Sequence, residues 1–168
     1  MRRVALGIAF VCCFGLQGPA SASFRDGLQA YYRLDYRTAL SEWQQLANQG
    51  NPGAQYQLGV MYYRGEGVPQ DYDEAAKWFH AAADSGDADA QFNLGLMYSH
   101  GQGLAQDFVQ AHLWFSLAAW RYANSKDRHW AIEDPYWAAR NRNWTLAKLS
   151  PEQIAEARRL VKDWKARQ

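Results

Sequence analysis

Apolar residues recur along this chain at the three- and four-residue spacing of α-helices, and short polar or glycine-containing segments separate the helical stretches. After Ala22, a first helix is predicted over about 24–33, and Asp35 is the expected N-cap of a second helix that ends near Gln49. One face of this second helix is apolar, through Ala39, Leu40, Trp43, Leu46 and Ala47. The two segments predict a helical hairpin.

The next helix is marked by signals at both of its ends. Asn51 followed by Pro52 is an N-cap with proline at the first helical position. The helix is expected to stop after Arg64, because Gly65 and Gly67 supply positive-φ positions that end helices and turn chains.

The partner helix begins in the same way in two places. Asp71 is the expected N-cap, and Glu74 stands three residues later, where a capping-box acid belongs. Asp107 and Gln110 repeat this arrangement. The turn at 85–87, Ser-Gly-Asp, closes one hairpin and caps the next.

The segment 54–83 recurs at 90–119 with an offset of 36, and 15 of the 30 aligned positions are identical. A fixed period of this length is typical of a solenoid of helical hairpins, in which each repeat buries its apolar face against its neighbours. The first hairpin is a diverged copy with a loop shortened to 32–34 that lacks Gly-x-Gly. The same shift places Asp35, Tyr36 and Ala39 on Asp71, Tyr72 and Ala75.

Small residues in the repeat predict how its two helices meet. Leu58 and Tyr62 lie one turn apart on one face, and Gly59 lacks a side chain, so the facing helix can approach closely there. Trp78 and Ala82 are expected to fill that face from the partner helix.

The segment from Ala54 to Trp78 reads Ala-Gln-x-x-Leu-Gly-x-x-Tyr-x-x-Gly-x-Gly-Val-x-x-Asp-x-x-x-Ala-x-x-Trp, which closely resembles the Sel1-like repeat, a relative of the tetratricopeptide repeat. The second copy has Leu104 and Ala105 in place of the Val-Pro pair of the first. The resemblance covers about 35–119. It implies an all-α, right-handed solenoid of about three helix-turn-helix repeats, with the first helix of each hairpin on the concave surface.

After Trp120 the period ends. The segment 124–134 is polar and predicts a loop, and Pro135 and Pro151 mark two further helix starts, the second with Ser150 as its cap and Gln153 in a capping box. The last helix is predicted to cap the solenoid through residues at core spacing, Ile154, Ala157, Leu160, Val161 and Trp164.

The aromatic residues near the C-terminus allow two interpretations. In the favoured one, the tryptophans at 120, 130, 137 and 144 bury the cap against the last repeat. In the other, Trp130 and Tyr136 belong to an exposed aromatic patch for a peptide or glycan.

These elements divide the chain into five segments. We predict a signal peptide over 1–22, a diverged first repeat over 23–53, Sel1-like repeats over 54–89 and 90–125, and a C-terminal helical cap over 126–168.

The N-terminal segment has the order of an export signal. Arg2 and Arg3 precede an apolar run over 4–16 that is too short to span a bilayer, and small residues lead to a cleavage site expected after Ala22. Lipoprotein processing at Cys12 is a weaker alternative, because bulky residues precede that thiol. The signal predicts a periplasmic or secreted protein without a stable membrane span.

Composition argues against nucleic-acid binding and against sites built from cysteine. The 168 residues carry a formal net charge of +1, which gives no electrostatic case for binding nucleic acid, since such binding normally needs a clear basic patch. Both cysteines lie in the predicted signal peptide, so the mature chain is expected to have no disulfide and no thiolate metal site.

No residue pattern in the chain predicts catalysis, a metal or a cofactor. The histidines form no pair at metal-ligand spacing, and His100 is explained by its place at a helix C-terminus; they are His80, His100, His112 and His129. The acids around Asp71 are explained by the helix start, and no serine has a nucleophile motif.

Positions that vary between the two copies are the candidates for recognition. By the resemblance, they lie on the concave face, and we expect partner contacts from Gln57, Tyr63, Arg64, Asn93, Ser99 and His100. The apolar variable residues are expected to pack between repeats instead; they are Tyr56, Val60, Phe92 and Leu96.

The predicted function is a non-enzymatic scaffold of the bacterial cell envelope that holds a peptide or protein partner. The alternative is a ligand-handling protein or weak enzyme acting on β-lactams or cell-wall fragments, by analogy with cysteine-rich Sel1-like proteins whose cysteines this chain lacks.

Overall fold

The computed structural model describes residues 22–124 and 135–167. Within these ranges the chain forms eight α-helices and no strand, as the periodicity predicts. The helices are α1 (Phe24–Tyr32), α2 (Tyr36–Asn48), α3 (Pro52–Arg64), α4 (Tyr72–Asp84), α5 (Ala88–His100), α6 (Phe108–Asn124), α7 (Pro135–Leu146) and α8 (Pro151–Lys165). Consecutive helices up to α7 pack against each other, and α8 packs on α6.

The helix starts lie at the predicted caps. The side chains of Asp35, Asn51 and Asp87 each accept the backbone N–H three residues on, and Ser150 forms the predicted capping box with Gln153. Because these caps satisfy backbone donors that a helix start leaves unpaired, they fix where the chain turns.

The capping box predicted at Glu74 is not formed. The N–H of Asp71, which such a box would use, instead donates to the carbonyl of Tyr62 over 3.0 Å. The Glu74 carboxylate accepts from Lys77 at 2.7 Å. The N–H of Asp107 is occupied in the same way one repeat later, so this backbone bond across the Gly-x-Gly loop replaces the box.

A glycine on the first helix of each hairpin receives an aromatic ring from the second helix. A Cβ added at Gly59 would lie 2.6 Å from the Phe79 ring, and one at Gly95 would lie 2.6 Å from the Phe115 ring. The prediction of close approach at Gly59 is confirmed, but the residue that uses it is Phe79 and not Trp78. Phe79 is fully buried in this position.

The first hairpin has the same arrangement with a different ring. Trp43 of α2 lies against Gly27 of α1, where a Cβ would overlap the indole. Its shortened loop places Leu34 at a φ of 62°, the left-handed region that the later hairpins fill with glycine.

Two sets of contacts stack one hairpin on the next. The buried amides of Gln55 and Gln91 donate to the carbonyls of Ala47 and Ala83 at the end of the preceding hairpin, over 3.2 and 3.1 Å. The second glycine of the loop is also used, because Gly103 lies directly against the backbone of Tyr72. The repeated Ala-Gln and Gly-x-Gly therefore serve stacking as well as turning.

The C-terminal end is built differently from the hairpins. Helices α7 and α8 both pack on α6, through Ala138 and Thr145 of α7 and through Ala157 and Trp164 of α8, all of them buried. The core spacing predicted for the last helix is thus confirmed at Ala157 and Trp164.

The favoured interpretation, in which the C-terminal tryptophans are buried between the cap and the last repeat, is wrong for Trp137 and Trp144. They are 45% and 44% exposed, since α7 turns its small residues toward α6 instead. Trp130 lies outside the described residues, as do the segment 125–134, His129 and all of the predicted signal peptide before Ala22. None of the described helices combines the length and apolar character needed to cross a membrane.

Candidate interaction surface

One face of α3 and the matching face of α5 are left uncovered by other helices. On α3 it consists of Gln57, Val60 and Arg64, at positions i, i+3 and i+7, and all three are partly or largely exposed. On α5 the same positions are Asn93, Leu96 and His100. Because α3 and α5 contact each other, the two rows form one surface with an apolar centre and polar ends.

A third row on α1 continues this surface and was missed by the sequence analysis. Gly27 occupies the place of Gly59, which fixes the shift between α1 and α3 at 32 residues. This shift places Arg25, Leu28 and Tyr32 on α1, with Tyr32 78% exposed. The signal was present in the sequence, because the loop shortened by four residues changes the offset from 36 to 32 on α1 alone. We call the nine residues of the three rows the interaction stripe.

Two of the predicted contact residues make hydrogen bonds to other residues of the solenoid. The hydroxyl of Tyr63 donates to Oε1 of Gln102 in the following repeat over 3.0 Å, and the Tyr63 ring lies 5.1 Å from that of Tyr72. Ser99 is only 3% exposed, and its hydroxyl donates to the carbonyl of Leu96 over 2.8 Å. Neither side chain therefore offers much free surface to a partner.

Tyr31 forms the corresponding hydrogen bond one repeat earlier, from its hydroxyl to a side chain of the following repeat. Its hydroxyl donates to Oε2 of Glu66 over 2.5 Å, and Nη1 of Arg64 lies 3.4 Å from the same hydroxyl. Burial and the hydrogen bond to Glu66 raise the pKa of Tyr31 to about 12. The hydroxyl of Tyr31 thus stays protonated. The Arg64 guanidinium lies 3.9 Å from Oε1 of Glu66, and the Arg64 side chain remains 60% exposed at the stripe.

The other polar residues of the stripe keep groups available. Asn93 Nδ2 donates to the carbonyl of Asp89 over 2.8 Å, which leaves its Oδ1 as an acceptor. His100 Nδ1 lies 2.8 Å from the carbonyl of Leu96, a contact that requires the proton on Nδ1 and leaves Nε2 open. The side-chain amide of Gln57 forms no hydrogen bond with any other described residue.

The apolar variable residues divide into two pairs. Tyr56 and Phe92 are buried, at 8% and 4% exposure, against the rings of Phe79 and Phe115. Their predicted burial is confirmed, but each ring contact lies within one hairpin and not between repeats. Val60 and Leu96 are only half-buried and lie in the centre of the stripe.

Across residues 22–124 and 135–167, no three His, Cys, Asp or Glu side chains lie close enough together to hold a metal ion. Burial lowers the pKa of His80, whose ring packs against Tyr98 and Trp114 as an ordinary core histidine does.

Comparison with known proteins gives the same architecture. A model of the Sel1 repeat matches residues 52–87 and 88–119. A protective antigen of uropathogenic Escherichia coli strains, which displays an SLR fold, superposes with a TM-score of 0.75 at 30% identity; the match covers 88% of this chain and 30% of that chain. A Sel1 repeat protein from Oxalobacter formigenes superposes with a TM-score of 0.57 at 35% identity, over 59% of this chain and 41% of that one.

The chain spans less than half the length of either structural neighbour. No curated protein matches it in sequence. The expected boundaries at 54 and 90 fall two residues inside α3 and α5, whereas the matched repeats start at 52 and 88, where these helices begin. Residues 52–119 are therefore two consecutive Sel1 repeats, and this chain is a Sel1-repeat protein with an all-α solenoid fold.

Proposed function

We propose that this protein is a non-enzymatic scaffold of the bacterial cell envelope and that the interaction stripe holds a segment of a partner protein. Sel1 repeats mediate protein–protein interactions, which gives the class of function. The observation that carries the proposal is the stripe itself, where half-buried apolar residues on adjacent helices are bordered by Gln57, Arg64, Asn93 and His100.

The composition of the stripe suits a protein partner. Interfaces are characterised by an apolar centre with a polar rim, and arginine and tyrosine are enriched among the residues that dominate binding. Val60 and Leu96 supply the centre, while Arg64 and Tyr32 are exposed at one end.

The rigidity of the framework favours binding as well. Each row stands on a helix that is capped at its start and joined to its neighbour by buried side chains such as Gln55 and Gln91. Little conformational entropy is then lost by the scaffold when the partner binds, so more of the contact energy appears as affinity.

The envelope location rests on the N-terminal sequence, with its basic start, apolar run and small residues before Ala22. Both structural neighbours come from bacteria, which supports a bacterial setting.

Site-specific photocrosslinking in living cells tests the proposal. A benzoylphenylalanine residue replaces Gln57 in one strain and Lys77 in another; Lys77 is exposed on α4 and lies outside the stripe. We expect a discrete crosslinked protein from position 57 and none from position 77, recovered in the envelope fraction.

The partner so identified is then titrated against purified variants. Val60→Glu and Arg64→Ala should each weaken binding by about tenfold or more, and Lys77→Ala should leave it unchanged. Arg64 is changed and the adjacent Tyr63 is kept, because the Tyr63 hydroxyl links two repeats. Equal crosslinking from both positions, or unchanged affinity of Val60→Glu, would rule out the stripe as the binding surface.

A further inference from the structure

The two C-terminal helices leave an open cavity above α6. It has a volume of about 650 Å³ and lies between α7 and α8. Its floor is made of short side chains on one face of α6, from Ser116, Ala119 and Ala123. This volume is within the range of small-ligand sites, about 300–1,000 Å³.

Three cationic side chains line the walls of this cavity. Arg142 comes from α7, and Arg158 and Lys165 come from α8. No aspartate or glutamate is among the described residues of the lining. None of the three cations forms an ion pair with a carboxylate in the described part of the chain, unlike the neighbouring Arg159, whose Nη1 lies 3.6 Å from Asp163.

Burial and the positive charge around the cavity lower the pKa of two of its lining residues. Burial lowers the pKa of Lys165, and the charge of Arg142 lowers it further. Burial also lowers the pKa of His112; the hydrogen bond with the Arg142 carbonyl opposes this shift, and the charges of Arg142 and Arg158 add to it. Positive charges thus converge on one space without a compensating carboxylate among the described residues.

The remaining lining adds an aromatic wall and neutral polar groups. Trp120 is 36% exposed, and the Lys165 ammonium lies 5.0 Å from its ring centroid. His112 Nδ1 is within 3.2 Å of the Arg142 carbonyl and 3.1 Å of Thr145 Oγ1, so Nε2 is the nitrogen left for the cavity. Asn143 completes the polar side.

We propose that this cavity binds a small organic anion bearing carboxylate or phosphoryl groups. Arg142, Arg158 and Lys165 hold the charged groups, and Trp120 packs against the uncharged part of the molecule. Guanidinium groups suit both kinds of anion because their planar N–H donors match paired oxygens. The cavity lies on α6, α7 and α8, away from the interaction stripe, so the site stands independently of the proposed scaffold function.

Isothermal titration of the purified protein at low ionic strength tests this site with three probes: citrate, glucose 6-phosphate and glucose. We expect saturable binding of at least one of the two anions and none of glucose. Binding of citrate alone assigns the site to carboxylates, binding of the phosphate ester alone assigns it to phosphoryl groups, and binding of both supports their shared chemistry.

Variants on α8 supply a matched comparison. Arg158→Gln and Lys165→Gln should each weaken binding by about tenfold or more, whereas Arg159→Gln should change it by less than about twofold. Arg159 adjoins Arg158 but is paired with Asp163 and is not in the lining. Removing one of several like charges should leave the thermal unfolding midpoint of the free variants unchanged or raised, which separates loss of the site from loss of the fold.

Two results would overturn the proposal. One is no saturable binding of either anion, and the other is an equal loss of affinity in Arg159→Gln, which would indicate diffuse surface charge.

Discussion

Replacing Gly59 with alanine tests whether the aromatic ring of α4 depends on the missing side chain of α3. The new methyl carbon would lie 2.6 Å from Cδ1 and Cε1 of Phe79 and 3.0 Å from its Cγ. Carbon atoms pack at about 3.5–4.0 Å, so the ring must move by about 1 Å. Because Phe79 is fully buried, its neighbours leave the ring no room to rotate away about χ1, so relief of the overlap displaces α4 itself.

The expected effect is a loss of stability. Overpacking of a buried site costs about 1–3 kcal/mol, and overlap with three ring atoms favours the upper end. The better helix propensity of alanine offsets about 1 kcal/mol of this destabilisation. We therefore expect the free energy of unfolding to fall by about 2 kcal/mol.

Gly53→Ala is the matched control on the same helix. A Cβ there would lie 3.3 Å from the edge of the Phe24 ring, where a small adjustment suffices. This variant should be as stable as the wild type, or more stable by up to about 1 kcal/mol. Urea unfolding followed by circular dichroism at 222 nm gives the midpoints, and an unchanged m-value keeps the comparison valid.

A second substitution identifies the ring as the cause. Phe79→Leu shortens the side chain that meets the new methyl, so it should be less destabilising in the Gly59→Ala background than alone, with a coupling of about 1 kcal/mol or more. If Gly59→Ala is as stable as the wild type, or if its loss is additive with Phe79→Leu, the glycine does not serve the aromatic ring.

Three further outcomes are expected from the same unfolding assay. Tyr63→Phe removes the hydroxyl that donates to Gln102 and should cost about 1 kcal/mol, whereas Tyr62→Phe, whose hydroxyl makes no hydrogen bond with a described residue, should be neutral. Leu34→Gly should stabilise the protein by about 1 kcal/mol, since leucine is strained at a φ of 62°. Burial raises the pKa of Asp87 from 3.8 to about 6, so the native state binds that proton more tightly than the unfolded state and stability falls as pH rises between these values. Asp87→Asn keeps the cap without the charge, and should raise stability by up to about 3 kcal/mol at about pH 8 but much less near pH 4; an equal gain at both would contradict this cause.

The helix bounds were predictable because local chemistry determines them. Asp35, Asn51 and Ser150 cap helices through contacts within three residues of the chain, and the glycines after Arg64 end α3 in the left-handed region. Such signals depend on no distant residue. The capping box at Glu74 failed for the opposite reason, since Tyr62, nine residues earlier, takes the N–H of Asp71.

Contacts between elements were harder to predict. Periodicity correctly placed an aromatic residue opposite Gly59, but the predicted residue, Trp78, is wrong, because Phe79 lies only a single step of about 100° further around the helix. The row on α1 was missed because the shortened loop changes its offset. The exposure of Trp137 and Trp144 was missed because small residues, here Ala138 and Thr145, let α7 pack closely on α6.

The interaction stripe was partly predictable from the sequence, whereas the cationic cavity was not. Gln57, Arg64, Asn93 and His100 were expected from their variation between copies, and the structure leaves them accessible. The cationic cavity has no sequence signature, since its charged residues come from two helices after the repeats and meet only because α7 and α8 rest on a common support.

The tyrosine links restrict how this chain can be lengthened. Residues 52–87 contain both halves of the link, the donor Tyr63 and the acceptor Glu66, so in-frame copies of this unit would join to one another and to the repeat at 88–119. Residues 88–119 carry the acceptor Gln102 but have Ser99 in place of the donor, and its hydroxyl is turned back to Leu96. A duplication of residues 52–87 should therefore keep the tyrosine hydrogen bond at every joint between repeats. A duplication of residues 88–119 would create a joint without this bond, which should be weaker. Additional repeats are thus expected to be stable before residues 88–119 and less stable after them.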